Sequence, residues 1–530
     1  MLNGPKLMGR QVAGDGFLRA AVKAHGGEPL VAYTAHEQSA NVFRARVREL
    51  DPTAKPQWLP AHRLDLLPDL GVLYRPDHAL ADHAYARLRM GSAAYSLCGV
   101  THTLSSHGAM SAATTLATAP VMPWDAVVCT SQGARGVIER LFEAQEAYLR
   151  WRLGSHAGQR PQLPVIPLGV HMEDFAFTQD ERALARRELG IGNEEITALF
   201  PGRIAYHAKV NPYALYRAFQ RVAEQTRTPL VLLHAGQFPN DDYRRAYDQA
   251  VRRFCPDVRC LFLDGKDPAL YGRGWRAADL FVSPSDNIQE TFGITPIEAM
   301  AAGLPVLVTD WNGYKDTVRD GIDGFRVATW QPAAGAGEAA ARRYEVIGNY
   351  ELHLVRTSLA VSVDMPELVS RLTELVTNPD LRRRMGAAGQ ARVKETFRWE
   401  VVYAQYQALW RELGDIRRRM AKLADGAPRA APHYEDPFKI FEHYPTWSVG
   451  PDTRAQARQD ATADEYQEIT DHPFLSYRRV PRELVERSLE VLRTELTCEA
   501  FAAKMALRQT AASELLSRLA KMDLVRLRQP

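Results

Sequence analysis

Residues Gln289 to Val306 read QETFGITPIEAMAAGLPV, and their order decides the fold. A polar loop carrying Glu290 and Gly293 leads into Thr295-Pro296-Ile297-Glu298. That quartet has the form of a helix start, with Thr at the cap, Pro at the first helical position and Glu three residues after the cap. Gly303 closes a short helix, and LPVLVTD from Leu304 starts a run that reads as a strand buried on both faces. Before the loop, ADLFVSPS from Ala278 reads the same way. Strand, loop, helix, strand is the unit of a parallel α/β layer, and the loops at the carboxyl ends of its strands are where such layers bind ligands.

Working outward, similar short apolar runs recur between helical patterns: PLVAYT from Pro29, DAVVCTS from Asp125, LPVIPLG from Leu163, ITALFPG from Ile196, PLVLLHAG from Pro229 and VRCLFLDG from Val258. They fall into two groups, before and after about residue 180, joined by a polar, turn-rich linker from Val170. With 530 residues the chain exceeds what one hydrophobic core supports. The expected division is residues 1–170 as a first α/β domain, 171–398 as a second with an irregular surface insertion near 331–364, and a helix over 399–424. Residues 425–530 form a strand-poor, mainly helical extension, in which a winged helix and a small helical interaction module both remain open.

Lys plus Arg number 66 and Asp plus Glu 63, which gives no overall field for nucleic acid and disfavours a nucleic-acid partner. The five cysteines are scattered, and no Cys or His cluster completes a zinc pattern around Cys255 and Cys260, so a reduced, cytoplasmic chain is the simplest reading. No apolar run reaches the length of a membrane span, and the N-terminus lacks signal-peptide order. Two stretches mixing apolar and basic residues, NVFRARVREL from Asn41 and LGDIRRRMAKL from Leu413, leave peripheral contact with the inner face of a membrane open. A solvated helix face is the simpler account of both.

The helix-start pattern is a full structural explanation for Glu298, and none for Glu290, a charged group in a loop. The amides from Phe292 through Gly293 and Ile294 to Thr295, with the helix N-terminus, make an anion site. Gly293 would let a phosphate approach the backbone. In FPGRIAYHAK, Arg203 stands just past a strand and Lys209 six residues later. One is suited to bidentate phosphate contacts and the other supplies a compact positive charge, and two cations can replace a metal in neutralising a departing diphosphate.

The motif PSDNIQETFGITPIEAMAAGLPVLVTDWNGYKDTVRDGIDGFRV resembles the Glu, seven residues, Glu (EX7E) signature of the retaining nucleotide-sugar glycosyltransferases of family 4, glycosyl transferases group 1. The resemblance covers about residues 160 to 412 and includes FPGRIAYHAK, VIPLGVHMEDF and FRWEVVYAQYQALW. It implies an α/β GT-B fold of two facing Rossmann-like domains with parallel sheets, the first for acceptor, the second for donor, with the helix 399–424 returning to the first. It also implies transfer of a hexose from a UDP- or GDP-sugar, with retention and without metal or other cofactor, as in polysaccharide biosynthesis. By position, Arg203 and Lys209 would hold the donor diphosphate. Glu290 and the amides of Phe292, Gly293 and Ile294 would contact the sugar, with Thr295 beside them, and Glu298 would bind the ribose hydroxyls.

In the first half, YSLCGVTHTLSS resembles the family's Thr-x-His region, making His102 a candidate for contact with sugar or acceptor, beside a structural alternative. KLMGRQVAGDG resembles the donor-side glycine loop, with Gly9 in it, although the strand that should lead into it is missing. Asp316 in NGYKD stands where a Glu is commoner. The acceptor is left open among glycan, lipid carrier and protein. A non-catalytic or regulatory sensor of nucleotide sugars, whose helical tail binds a protein or DNA, is the competing reading, and a nucleotide-sugar epimerase or phosphorylase a third.

Overall fold

The apolar runs become strands of parallel sheets because each is buried on both faces and flanked by helices. The computed structural model describes residues 9–154, 158–206, 209–475 and 479–530, which divide into two compact units, Met1–Ala431 and Pro432–Pro530. The extension expected from residue 425 therefore begins as a separate unit at Pro432. Ala431 is still buried, and the Arg429 guanidinium lies against Gly91 of the larger unit.

In the first half, β1 (Leu30–Thr34) pairs in parallel with β2 (Pro56–Pro60). Next, β3 (Val72–Tyr74), β4 (Ser96–Val100) and β5 (Ala126–Val128) form a second parallel piece. The missing leading strand concerns residues 1–8 or earlier, outside the described residues. Gly9 is not in a loop: it is the first residue of the helix Gly9–Ala24, exposed and with open space around it. LPVIPLG does not form a strand either. Pro164 and Pro167 lack the ladder N–H, and the segment makes only an isolated bridge from Val165 to Cys129.

Inside the β3–β5 layer, Arg87 and Asp125 form a fully buried pair at 2.6 Å. The carboxylate also accepts from the amides of Leu97 and Met122, both at 2.8 Å, and Arg87 donates to the carbonyl of Tyr95 at 2.7 Å. The charge is tolerated because nearly all its partners are fixed.

The second half is one six-stranded parallel sheet. Its strands are β6 (Ile196–Pro201), β7 (Leu230–Gly236), β8 (Arg259–Asp264), β9 (Leu280–Ser283), β10 (Val306–Thr309) and β11 (Gly324–Val327), in the order β11-β10-β9-β6-β7-β8. Alternate strand residues feed two cores. Phe200, Leu232 and Val282 meet helices Pro212–Thr226 and Met365–Thr377, while Leu199, Leu233 and Phe281 meet Pro268–Ala277 and Ile294–Ala301. Chain order reverses between β6 and β9, whose register pairs Ala198 with Leu280. That reversal opens a crevice at the carboxyl ends of those two strands.

Residues 331–364 are not irregular. A two-stranded antiparallel ribbon, β12 (Thr329–Trp330) with β13 (Ser362–Val363), forms a pedestal for helices Glu338–Ile347 and Tyr350–Ser358. Gly348, at φ +68, ends the first helix, and the Asn349 side chain caps the second by accepting from Leu352 N. The small residues of QPAAGAGEAA hide this because they carry no apolar period.

The helix Trp399–Met420 returns to the first half. Its Trp399 ring sits against Gly16 and Gly169, where an added Cβ would come within 2.4 Å and 2.5 Å of it. Phe17 stacks on Tyr74 at 4.6 Å and meets Tyr403 and Tyr406 edge-on.

The smaller unit has an antiparallel sheet of β14 (Arg454–Ala457), β15 (Leu496–Thr497) and β16 (Val525–Arg528), ordered β15-β14-β16. Its helices Arg482–Val491, Cys498–Met505 and Gln509–Lys521 share a core of Val485, Phe501, Leu516 and Leu519. Among the described residues, no helix of either unit is long and apolar enough to cross a membrane.

Candidate functional site

The loops that follow β6 and β9 meet at the crevice and tie each other down. After β6, Gly202 adopts φ +124, and a Cβ there would stand 3.5 Å from Lys209 Cε, so the lysine stem folds back over the turn. The carbonyl of Lys209 accepts from Asn287 Nδ2 at 2.9 Å and from Ser285 Oγ at 3.2 Å. Its ammonium reaches Glu290 Oε2 at 2.7 Å, with both side chains mostly shielded from solvent. Burial pushes the Glu290 carboxyl up, but Lys209 and the amides of Phe292 and Thr291 outweigh it and hold the group below its ordinary value. Glu290 is therefore an ionised carboxylate.

Gly293 carries a packing constraint of its own. Its φ is +83, and an added Cβ would meet the Tyr314 ring at 2.1 Å, so the group packed against this glycine is Tyr314. The Tyr314 hydroxyl in turn lies 3.0 Å from Ser283 Oγ. Asn312 donates to the carbonyl of Glu290 at 2.7 Å, and Trp311 Nε1 to that of Asn287 at 2.9 Å. Phe292 is buried, edge-on to Phe397. Its amide and that of Thr291 face the Glu290 carboxylate.

Thr295 is not the helix cap. The helix runs Ile294–Ala301 with Gly293 at the cap position and no side-chain capping bond, because the left-handed glycine starts the turn early. Thr295 and Glu298 are both inside and buried. Glu298 consequently loses its structural explanation. Among the described residues its carboxyl receives no hydrogen bond, and burial, partly offset by Lys209, raises its pKa to about 7. One lysine thus serves two carboxyls eight residues apart: it keeps Glu290 charged by contact and only moderates Glu298 from a distance. Asp286 is raised to about 7 as well, chiefly by burial. One of its oxygens accepts from Asn211 N at 3.1 Å, and the other, buried, has no partner among the described residues.

Arg203 is exposed at the same crevice and donates to Gln289 Oε1. On the facing half, His102 follows β4 and has Nε2 3.0 Å from the carbonyl of Pro76, which fixes the ring's orientation. Ser131 Oγ donates to the carbonyl of Thr291 at 2.7 Å. Asp316 accepts from the Gln132 amide at 2.7 Å, and so completes the first turn of the helix Gln132–Leu153 across the crevice. Arg203, Lys209, Glu290, Phe292, Gly293, Ile294, Thr295 and Glu298 accordingly share one loop cluster, and His102 stands at a strand end of the other half. Gly9, in its helix, contacts none of them.

Several residues of this cluster escape sequence reasoning: Asn287, Gln289, Ser131, Asn312 and Tyr350. Position alone could have flagged Asn287 and Gln289, which lie in the loop after β9. Ser131 reads as a helix cap, and Tyr350 reaches the loop only through the insertion.

Residues 181–340 match the family "Glycosyl transferases group 1". The D-inositol 3-phosphate glycosyltransferase of Geodermatophilus obscurus is 31% identical over 203 residues, covering 37% of this chain and 44% of that protein. Its counterpart in Actinosynnema mirum is 33% identical over 181 residues, 33% of this chain and 42% of that protein. The chain thus spans less than half the length of these curated relatives. Among solved structures, Anabaena Alr3699/HepE in complex with UDP aligns over 77% of this chain and 98% of its own, at 15% identity and a TM-score of 0.50. That likeness speaks to the architecture of two parallel α/β halves. Residues 181–340 thus resemble the glycosyl transferases group 1, and the larger unit has the GT-B fold.

Proposed function

We propose that the protein transfers a hexose from a nucleotide-diphosphate sugar to an acceptor hydroxyl, with retention of configuration and without a metal ion. The observation that carries this reading is the pairing of Lys209 with Glu290 at 2.7 Å, with exposed Arg203 in the same crevice at the switch point of the donor-half sheet. Two fixed cations supply the positive charge that a departing diphosphate requires. An ionised Glu290 accepts hydrogen bonds from sugar hydroxyls. Glu298, whose carboxyl has no hydrogen-bond partner among the described residues, accepts from the ribose. In the same-face route the acceptor oxygen bonds to the anomeric carbon and the bond to the diphosphate oxygen breaks. The acceptor proton passes to the leaving phosphate. His102, held by Pro76, contributes on the acceptor side.

UDP is the first nucleotide to test because the Anabaena structure holds it, and D-inositol 3-phosphate heads the acceptor panel because the curated relatives are named for it. Wild-type protein in excess chelator should release UDP or GDP from a nucleotide sugar in the presence of acceptor, and Glu290→Ala should abolish release while keeping the wild-type circular dichroism. Undiminished turnover by Glu290→Ala would overturn the role of that residue. Turnover that disappears with chelator and returns with magnesium would overturn the metal-free mechanism.

A further inference from the structure

The insertion between β12 and β13 does more than decorate the surface. Tyr350, the first residue of its second helix, places its hydroxyl 2.8 Å from Ser105 Oγ, in the loop after β4, and 3.3 Å from Gln289 Nε2, in the loop after β9. Gln289 is itself fixed at its backbone, donating to Asn287 Oδ1 at 3.0 Å, and its side-chain oxygen accepts from Arg203. One direction of donation satisfies the whole chain: Arg203 to Gln289, Gln289 to Tyr350, Tyr350 to Ser105. A second tyrosine of the insertion, Tyr344, accepts the His107 amide at 2.8 Å and stacks on His353 at 4.4 Å, so the helix pair is pinned and Tyr350 is not free to swing. Arg203 is exposed, and Gln289 is the hydrogen-bond partner the described residues give it.

We infer that Tyr350 is a positioning residue for the donor diphosphate: it fixes the amide of Gln289, and through it the guanidinium of Arg203, in the orientation that receives the phosphates. The inference rests on the nucleotide-sugar reading above. It assigns a role to a residue outside the matched family segment, which ends at residue 340. The amide of Gln289 has two faces, and only a fixed acceptor for its nitrogen keeps its oxygen toward Arg203. Without the phenol the arginine must be ordered when the ligand binds, and affinity falls by the cost of that ordering.

The experiment is calorimetric titration of the full chain with UDP and GDP, and with uridine and guanosine, which lack the diphosphate. Wild type, Tyr350→Phe, Gln289→Ala, Arg203→Ala and the double variant Tyr350→Phe/Arg203→Ala are compared. Tyr350→Phe should weaken the nucleoside diphosphate about threefold to tenfold, the worth of one hydrogen bond, and leave nucleoside affinity unchanged. In the Arg203→Ala background the same change should have no further effect. Should Tyr350→Phe unfold, Gln289→Ala carries the test, with the same selective loss expected. Equal losses for diphosphate and nucleoside, full affinity in Tyr350→Phe, or an undiminished effect without Arg203 would each overturn the inference and leave the donor reading intact. Wild-type protein that binds neither UDP nor GDP would sink the donor reading, and this inference with it.

Discussion

Replacing Glu298 with Gln should make the protein more stable at pH 8 and leave its stability nearly unchanged at pH 5. The carboxyl is raised from an ordinary 4.5 to about 7, with burial as the largest cause. The folded state therefore binds its proton more tightly than the unfolded chain, and stability falls as pH rises from 4.5 toward 7. Every tenfold gain in proton affinity on folding is worth about 1.4 kcal/mol, so the ionised group costs about 3 kcal/mol above pH 7 and nothing below 4.5. Gln has the same shape and no charge, and whatever the amide changes in packing is common to both pH values. Unfolding entropy of about 2.1 cal/mol/K per residue over residues 1–431 converts this gain to a Tm rise of about 3 °C at pH 8. Differential scanning calorimetry of wild type and Glu298→Gln at the two pH values reads it directly. A variant whose advantage is the same at both pH values, or larger at pH 5, would refute the argument that a buried, unpaired carboxyl is ionising.

Glu290→Gln should act with the opposite sign, lowering stability by about 1–3 kcal/mol because it strands the Lys209 ammonium. Since the Glu290 pKa is lowered, that loss should persist from pH 8 to pH 6 and shrink only as pH falls through the folded value, below 4.5; a loss that vanishes by pH 6 would contradict it. Gly293→Ala should cost about 2–4 kcal/mol in chemical denaturation, because both the φ of +83 and the Tyr314 ring at 2.1 Å oppose a Cβ, and near-wild-type stability would show that the loop is free to move. Arg87→Met should cost about 3–5 kcal/mol by leaving Asp125 buried with only the amides of Leu97 and Met122, and a loss under about 1 kcal/mol would mean the carboxylate is protonated or hydrated.

What can be read from the chain is what depends on local pattern. Runs such as PLVLLHAG and ADLFVSPS announce strands because burial on both faces leaves no polar alternation, and β7 and β9 form there. LPVIPLG carries the same apolar signal, but its prolines cannot donate to a ladder, and the resulting bridge is a single residue. The strand β2, PQWLP, is bounded by prolines, and β3, VLY, is an isolated three-residue run, so neither stands out from loops. At the site, Glu290 is legible as a loop carboxylate without a structural task. Thr295 has the local pattern of a cap and is not one, because the cap depends on the conformation of Gly293, set by a ring from residue 314 that no local pattern reveals. The Ser105–Tyr350–Gln289 chain joins residues more than sixty positions apart and is a fact of tertiary packing alone.

The two glutamates of the opening stretch differ chiefly through distance to one charge, and secondarily through two backbone amides that only Glu290 faces. Both are shielded carboxyls on either side of a glycine turn. Lys209 can contact only one of them, since its carbonyl is clamped by Ser285 and Asn287 and its stem by Gly202. Contact at 2.7 Å, helped by the amides of Phe292 and Thr291, overcomes burial for Glu290, and the longer reach to Glu298 does not. The β6 loop therefore supplies the charge that keeps Glu290 an anion, the β9 loop adds two amides to it, and Glu298, beyond contact with either, titrates near 7. This division follows from the order β9-β6 at the centre of the sheet, which sets the two loops side by side. Moving the lysine by a single residue, with both glutamates untouched, would exchange a satisfied ion pair for a buried, uncompensated charge.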